Sequence, residues 1–161
     1  MIDLNAESYE NQDDVGVLEK CIEWHRICPE IYTIIRNGKS LIGYINFVPI
    51  TRECYLKIKN GELKDYEFQI NDILDFKKGE NYCLFMSIVI KEKYRNTKVI
   101  IEMMKYFFKK MDRLKRQGVE LNNVICDCVS EDGEKLINRN FDAKFICYTK
   151  NRTKIYEFSI Q

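Results

Sequence analysis

Two stretches of this chain carry side chains whose types and spacing could do chemistry. The first is the basic run Lys91-Glu92-Lys93-Tyr94-Arg95-Asn96-Thr97-Lys98, which separates the apolar segment Tyr82 to Ile90 from the stripe Ile100, Met103, Met104, Phe107, Met111, Leu114. A strand that passes through a short loop into a helix presents unpaired N–H groups and the positive end of the helix dipole, a combination that binds phosphate. Arg95, Thr97 and Lys98 add donors to those amides. The plainer alternative is a solvated basic loop that binds nothing. The second stretch is a pair of polar intrusions in otherwise apolar runs, Ser87 before the loop and Asp127 beyond the stripe. Burial raises a carboxylate's pKa, so Asp127 could act as a base toward an ammonium acceptor. Against these roles, Asp127 also reads as a buried carboxylate bonded to backbone, and Ser87 as a small residue suited to close packing.

Such residues need elements to hold them. Val15, Leu18 and Ile22 recur at helical spacing and predict a helix over Asp14 to Cys28, ended by Pro29. Ile31 to Arg36 and Ser40 to Val48 read as antiparallel strands, with Asn37-Gly38 supplying the φ > 0 residues of a type I′ turn. Gly43, inside the second strand, marks a bulge or a close backbone approach. Thr51 is placed to cap a short helix, Arg52 to Asn60, before an irregular, partly helical insertion that runs to Gly79. Tyr82 to Ile90 reads as a strand covered on both faces, the stripe as a long helix closed by Gly118, and Val124 to Val129 as another buried strand. Ser130 caps a helix over Glu131 to Asn140, and Phe145 to Thr149 and Lys154 to Ile160 make two last strands. The order predicts an α/β architecture whose central strand-helix-strand unit is a parallel crossover in a mixed sheet.

The 161 residues fit one domain, 1–161, with one site. No run approaches the roughly 20 apolar residues of a membrane span, and Met1-Ile2-Asp3-Leu4-Asn5 has no secretory pattern, so a cytoplasmic protein without membrane partners is expected. A net charge of +1 does not call for nucleic acid, and the basic stretch lacks interleaved exposed aromatics. Seven cysteines without a C-x-x-C pair, beside the lone His25, predict neither a disulfide framework nor a metal site; the thiols read as small buried apolar groups. With no histidine partner in reach, none is expected to carry an acyl group. Cys126 and Cys128, two apart on a strand, share a face.

From Ile31 to Ile160 the sequence resembles the GNAT superfamily of N-acyltransferases. Ile88-Val89-Ile90 is similar to the apolar triplet ending that family's fourth strand, and Arg95-Asn96-Thr97-Lys98-Val99-Ile100 occupies the place of its Arg/Gln-x-x-Gly-x-Gly/Ala loop. The hairpin Ile31 to Val48 resembles the second and third strands, and Asn138-Arg139-Asn140-Phe141 the Gly-Phe end of the last helix. Lys98 and Ile100 stand where glycines are usual, Asn140 replaces the glycine before Phe141, and the family's catalytic tyrosine falls at Leu136. Leu84 and Met86 hold strand positions where many members carry a base, and only Met1 to Leu4 could supply a fragment of the first strand. The resemblance implies a mixed, centrally splayed β-sheet flanked by helices, with acetyl-coenzyme A as co-substrate and no metal. It implies cofactor contacts from Ile88, Val89, Ile90, Arg95, Asn96, Thr97, Lys98, Val99, Ile100 and Ser130, and catalysis sought at Asp127 and Ser87. The implied reaction is direct attack of a primary amine, a small cationic amine or a lysine, in a ternary complex with a monomer or homodimer. Glu53, Glu62, Asp65, Glu67, Asp72 and Asp75, in the insertion that flanks the family's acceptor mouth, favour a cation. The alternative is a non-catalytic acyl-coenzyme A or protein-binding module on the same fold.

Overall fold

The computed structural model describes residues 15–63, 67, 69–95 and 97–161, with backbone alone for 15–20. Met1 to Leu4, Asp65 and Asn96 lie outside the described residues. In chain order the elements are α1 (Val15–Ile27), β1 (Tyr32–Asn37), β2 (Ser40–Ile50), α2 (Arg52–Lys59), β3 (Gly79–Ile90), α3 (Val99–Arg116), β4 (Val119–Cys128), α4 (Glu131–Asn140), β5 (Lys144–Tyr148) and β6 (Lys154–Phe158). Short 3-10 turns occupy Ile70–Asp72 and Glu92–Tyr94. The strands form a six-stranded sheet in the order β1-β2-β3-β4-β6-β5. Only β3 and β4 run parallel, joined by α3; the other neighbours are antiparallel.

Helices cover both faces, as the pattern of buried residues dictates. Met103, Met104, Phe107, Met111 and Leu114 of α3 pack with Ile137 of α4 against Ile45, Phe47, Phe85, Val124 and Phe158. Trp24 of α1 and Cys54, Tyr55 and Ile58 of α2 pack on the opposite face against Val48, Ile50, Leu84, Ile125 and Ile155. Each fully buried apolar side chain of this size contributes about 1.5–3 kcal/mol. Local signals agree with the tertiary ones: the Thr51 hydroxyl accepts from the Cys54 amide at 3.2 Å, and the Ser130 hydroxyl from the Gly133 amide at 3.1 Å, at the N-caps of α2 and α4.

Three expectations shift. Asn37 pairs with Ser40, so the hairpin loop is Gly38-Lys39 and only Gly38 takes positive φ, +57°; this is the pattern of a type II′ turn, not type I′. β4 begins five residues early, at Val119, because Val119 and Leu121 face the core while Glu120 and Asn122 face solvent; that half-buried alternation was hidden beside the continuous apolar run. At the other end Val129 leaves the strand and is 64% exposed. Gly43 is the close approach expected of it: a Cβ there would sit 2.6 Å from the Val89 carbonyl oxygen.

Candidate functional site

The site is built by two strands that stop pairing. Parallel partners run from Gly79↔Val119 to Leu84↔Ile125, and no pair follows. β3 continues with β2 to Gly43↔Ile90, whereas β4 continues with β6 to Cys128↔Lys154. A bulge lies where they part: Phe47 pairs with Phe85 and Asn46 with Ser87, leaving Met86 as the extra residue. Asn46, 4% exposed, donates its amide to the Met86 sulfur at 3.2 Å. The sheet is therefore splayed, and the opening is a cleft of about 690 Å³.

Both catalytic candidates, Ser87 and Asp127, line this cleft and are half-buried. So do Ile88, Val89, Ile90, Arg95, Ile100 and Ser130 of the expected cofactor set. Thr97, Lys98 and Val99 stand beside it without lining it, and Asn96 is outside the described residues. The loop is tied down at both ends. Arg95 Nε donates to the Ile90 carbonyl at 3.2 Å; the Thr97 hydroxyl donates to the Tyr94 carbonyl at 2.7 Å and accepts from the Val99 amide at 3.3 Å. Thr97 thus takes one amide of the first turn of α3 for itself. The next two, of Ile100 and Ile101, lie where a helix offers no carbonyl partner. Arg95 (φ −60°) and Lys98 (φ −70°) have negative φ, so this turn does not require glycine at position 98.

The second wall holds residues that the sequence did not single out as a site. Asp132, Gly133 and Leu136 of α4 line it together with Cys126 and Cys128. The start of α4 is fastened from below: Glu134 accepts from Lys154 Nζ at 2.7 Å and 2.8 Å and from the Tyr156 hydroxyl. These partners, first Lys154 and then Tyr156, hold the Glu134 carboxyl below its ordinary range. Three positions spread over β6 and α4 make this network, and no local spacing announces it.

The thiols depart in part from the expectation of inert buried groups. Burial pushes those of Cys28 and Cys54 up to about 12, and raises that of Cys83 as well. Cys128 is different. Only half-buried, it shares a hydrogen with Cys126, which lowers its pKa and raises that of Cys126.

The acidic insertion has local partners. Glu53 pairs with Lys57 at 2.7 Å, Asp72 accepts from the Gln69 amide at 2.9 Å, and Asp75 from the Phe76 amide at 2.9 Å. None of these carboxylates lines the cleft. His25 is exposed, its ring centroid 6.3 Å from that of Tyr32. Among the described residues no three of His, Cys, Asp and Glu gather as a metal site, and no helix is long and apolar enough to cross a membrane.

Solved structures share this fold. Ard1 from Thermoplasma volcanium superposes with a TM-score of 0.58 at 12% identity, covering 100% of this chain and 90% of that one. The fold is that of the GNAT acetyltransferases. The histone acetyltransferase HPA2 and related acetyltransferase from Corynebacterium glutamicum gives a TM-score of 0.53 at 12% identity, over 98% of this chain and 87% of that one. The NatC complex bound to Gag peptide and CoA gives 0.54 at 13% identity, over 98% and 86%. No family model and no curated protein matches the sequence. Leu136 of α4 lines the cleft as a hydrocarbon, and the bulge residue Met86 of β3 brings a thioether to it.

Proposed function

We propose that this chain, as a single domain, is an N-acetyltransferase that holds acetyl-coenzyme A in the cleft between β3 and β4 and passes the acetyl group to a primary amine. The observation that carries the reading is the end of the β3–β4 ladder at Leu84↔Ile125, directly before the strand-loop-helix junction at α3. Ile88, Val89 and Ile90 have no β4 partner, so their backbone groups on that side can pair with an extended amide-bearing chain such as pantetheine. Arg95, Lys98 and the first-turn amides of Ile100 and Ile101 supply positive charge and donors for its phosphates, with Thr97 and Val99 bracing the turn through their mutual hydrogen bond, Asn96 between Arg95 and Thr97 in the sequence, and Ser130 on the facing wall.

When bound, the co-substrate supplies the activated thioester. Asp127, across the opening, takes a proton from the acceptor's ammonium so that the neutral amine attacks the thioester carbonyl, the C–S bond breaks and coenzyme A leaves as its thiol, and Ser87 offers a hydroxyl for orientation. Holding amine and thioester together lets attack proceed within a ternary complex. The acceptor is a small cationic amine or a lysine side chain, consistent with the two aspartates, Asp127 and Asp132, in the cleft lining. A second reading, a binding module without turnover, is favoured by Leu136, which leaves no acid at the position where the fold family commonly has one. Calorimetric titration with acetyl-coenzyme A, followed by an amine panel with thiol release monitored, separates the two. Thiol release with cationic amines supports transfer, and binding without release supports the module.

A further inference from the structure

Cys126 and Cys128 present the one pair of cysteine sulfurs in contact among the described residues, with Sγ atoms 3.8 Å apart. Both line the cleft. They are not equivalent, because Cys126 is 2% exposed whereas Cys128 is half-buried. The hydrogen that they share lowers the pKa of Cys128 and, with burial adding to it, raises that of Cys126. Cys128, the more exposed of the two, is therefore the thiol that a molecule in the cleft meets first, and a thiolate is the nucleophile of disulfide exchange.

Closing the two thiols on each other is hindered. Residues two apart on a strand separate their Cα atoms by about 6.6–6.8 Å, at the outer limit of the roughly 4.4–6.8 Å that a disulfide spans. A thiolate so placed forms its lasting disulfide with a partner from outside. We propose that Cys128 is a modification site that takes a mixed disulfide from the oxidised, disulfide form of a coenzyme-A-type thiol, and that the adduct blocks the cleft. The inference rests on the acyl-coenzyme A reading above for the identity of the ligand, and on the thiol pair for the chemistry.

In the step, the Cys128 thiolate attacks one sulfur of the ligand's disulfide. A new S–S bond forms to Cys128 as the ligand's own S–S bond breaks, and one coenzyme A leaves as a thiolate that takes a proton from water. Cys128 is oxidised to the disulfide level and the departing half is reduced to the thiol, so no further oxidant is needed. The attached chain then occupies the space that acetyl-coenzyme A would fill.

The test is intact-mass spectrometry of the full chain after incubation with coenzyme A disulfide or with bis(2-hydroxyethyl) disulfide, which has the same reactive bond and no nucleotide. One coenzyme A adduct is expected, mapped to Cys128, released by dithiothreitol, slowed by reduced coenzyme A, and formed roughly tenfold or more faster than the small adduct. Cys128→Ser should abolish it, Cys126→Ser should slow it while leaving Cys128 available, and Cys147→Ser should change nothing. An adduct on another cysteine, or equal rates for the two disulfides, overturns the inference. Calorimetry with reduced coenzyme A on Cys128→Ser locates a failure: binding without a wild-type adduct sinks the thiol site alone, whereas no binding to either protein sinks the acyl-coenzyme A reading and this inference with it.

Discussion

Lys98 is the residue on which the proposed phosphate contact turns. It caps α3 at φ −70° and ψ 0°, with no side-chain cap bond of its own, so its ammonium is exposed and available while the backbone stays in a conformation open to any residue. A charge-assisted contact from it to phosphate is worth about 1.5–3 kcal/mol. Lys98→Ala should weaken acetyl-coenzyme A by roughly tenfold or more at low salt, and by less at high salt where the contact is screened. Because φ is already negative, Lys98→Gly should lose as much as Lys98→Ala. Calorimetry at two ionic strengths reads both effects; unchanged affinity at low salt would make Lys98 a bystander. A second lysine does structural work elsewhere. Lys110 Nζ donates to the Glu30 carbonyl at 2.6 Å, and Arg113 pairs with the Glu30 carboxylate at 2.7 Å, tying α3 to the end of the α1–β1 link. Burial lowers the Lys110 ammonium from 10.5 to about 8, against the pull of Glu30 and Cys28. Between those two values the unfolded chain holds a proton that the folded chain has released, so this group adds stability as pH rises from about 8 toward 10.5. In Lys110→Met that increment disappears. Denaturant unfolding of both proteins across this window should show the wild type gaining on the variant; parallel profiles would contradict the shift.

Among elements, the β2–β3 pair is set more tightly than any other described contact of a glycine. A Cβ at Gly43 would meet the Val89 oxygen at 2.6 Å and the Ile90 Cα at 3.3 Å, and both belong to backbone that cannot swing aside. Gly43→Ala should destabilise the protein by roughly 1–3 kcal/mol. It should also weaken acetyl-coenzyme A, because the strand it displaces is the cleft wall. Thermal unfolding and titration of the same sample check this, and an unperturbed melting temperature would show that the strands have room to part. What made these elements readable in the sequence was local: the apolar run of β3, the 3–4 spacing of α3 and the caps Thr51 and Ser130 each state their element within a few residues. What was not readable depends on pairing between distant segments. Asn37 could not announce that Ser40 would hold it in the ladder, nor could Val119 announce Gly79 as its partner. The shared face of Cys126 and Cys128 follows from the two-residue period, but that this face opens on a cleft, and that Cys128 is the accessible member, follows only from where β3 leaves β4. Splaying itself entered the sequence reading through resemblance, since no periodicity encodes it.

For the whole molecule, the sheet behaves as two antiparallel halves, β1-β2-β3 and β4-β6-β5, stitched by one short parallel ladder and bridged by α3. Packing of α3 and α4 on one face and of α1 and α2 on the other joins residues of both halves in each core. The end of that cleft proposed for the phosphates is a helix start beside Arg95 and Lys98, and its far wall is Asp127 with the cysteine pair. Binding at such a place must show three properties together: one ligand per chain, dependence on the nucleotide phosphates, and weakening by salt. The most direct measurement is calorimetric titration of the purified chain with acetyl-coenzyme A at low and at high ionic strength, with acetyl-pantetheine as the ligand that lacks the nucleotide. The account predicts a one-to-one complex with acetyl-coenzyme A that loosens as salt is raised, and much weaker binding of acetyl-pantetheine. No binding at low ionic strength, or equal binding of the two thioesters, would contradict it.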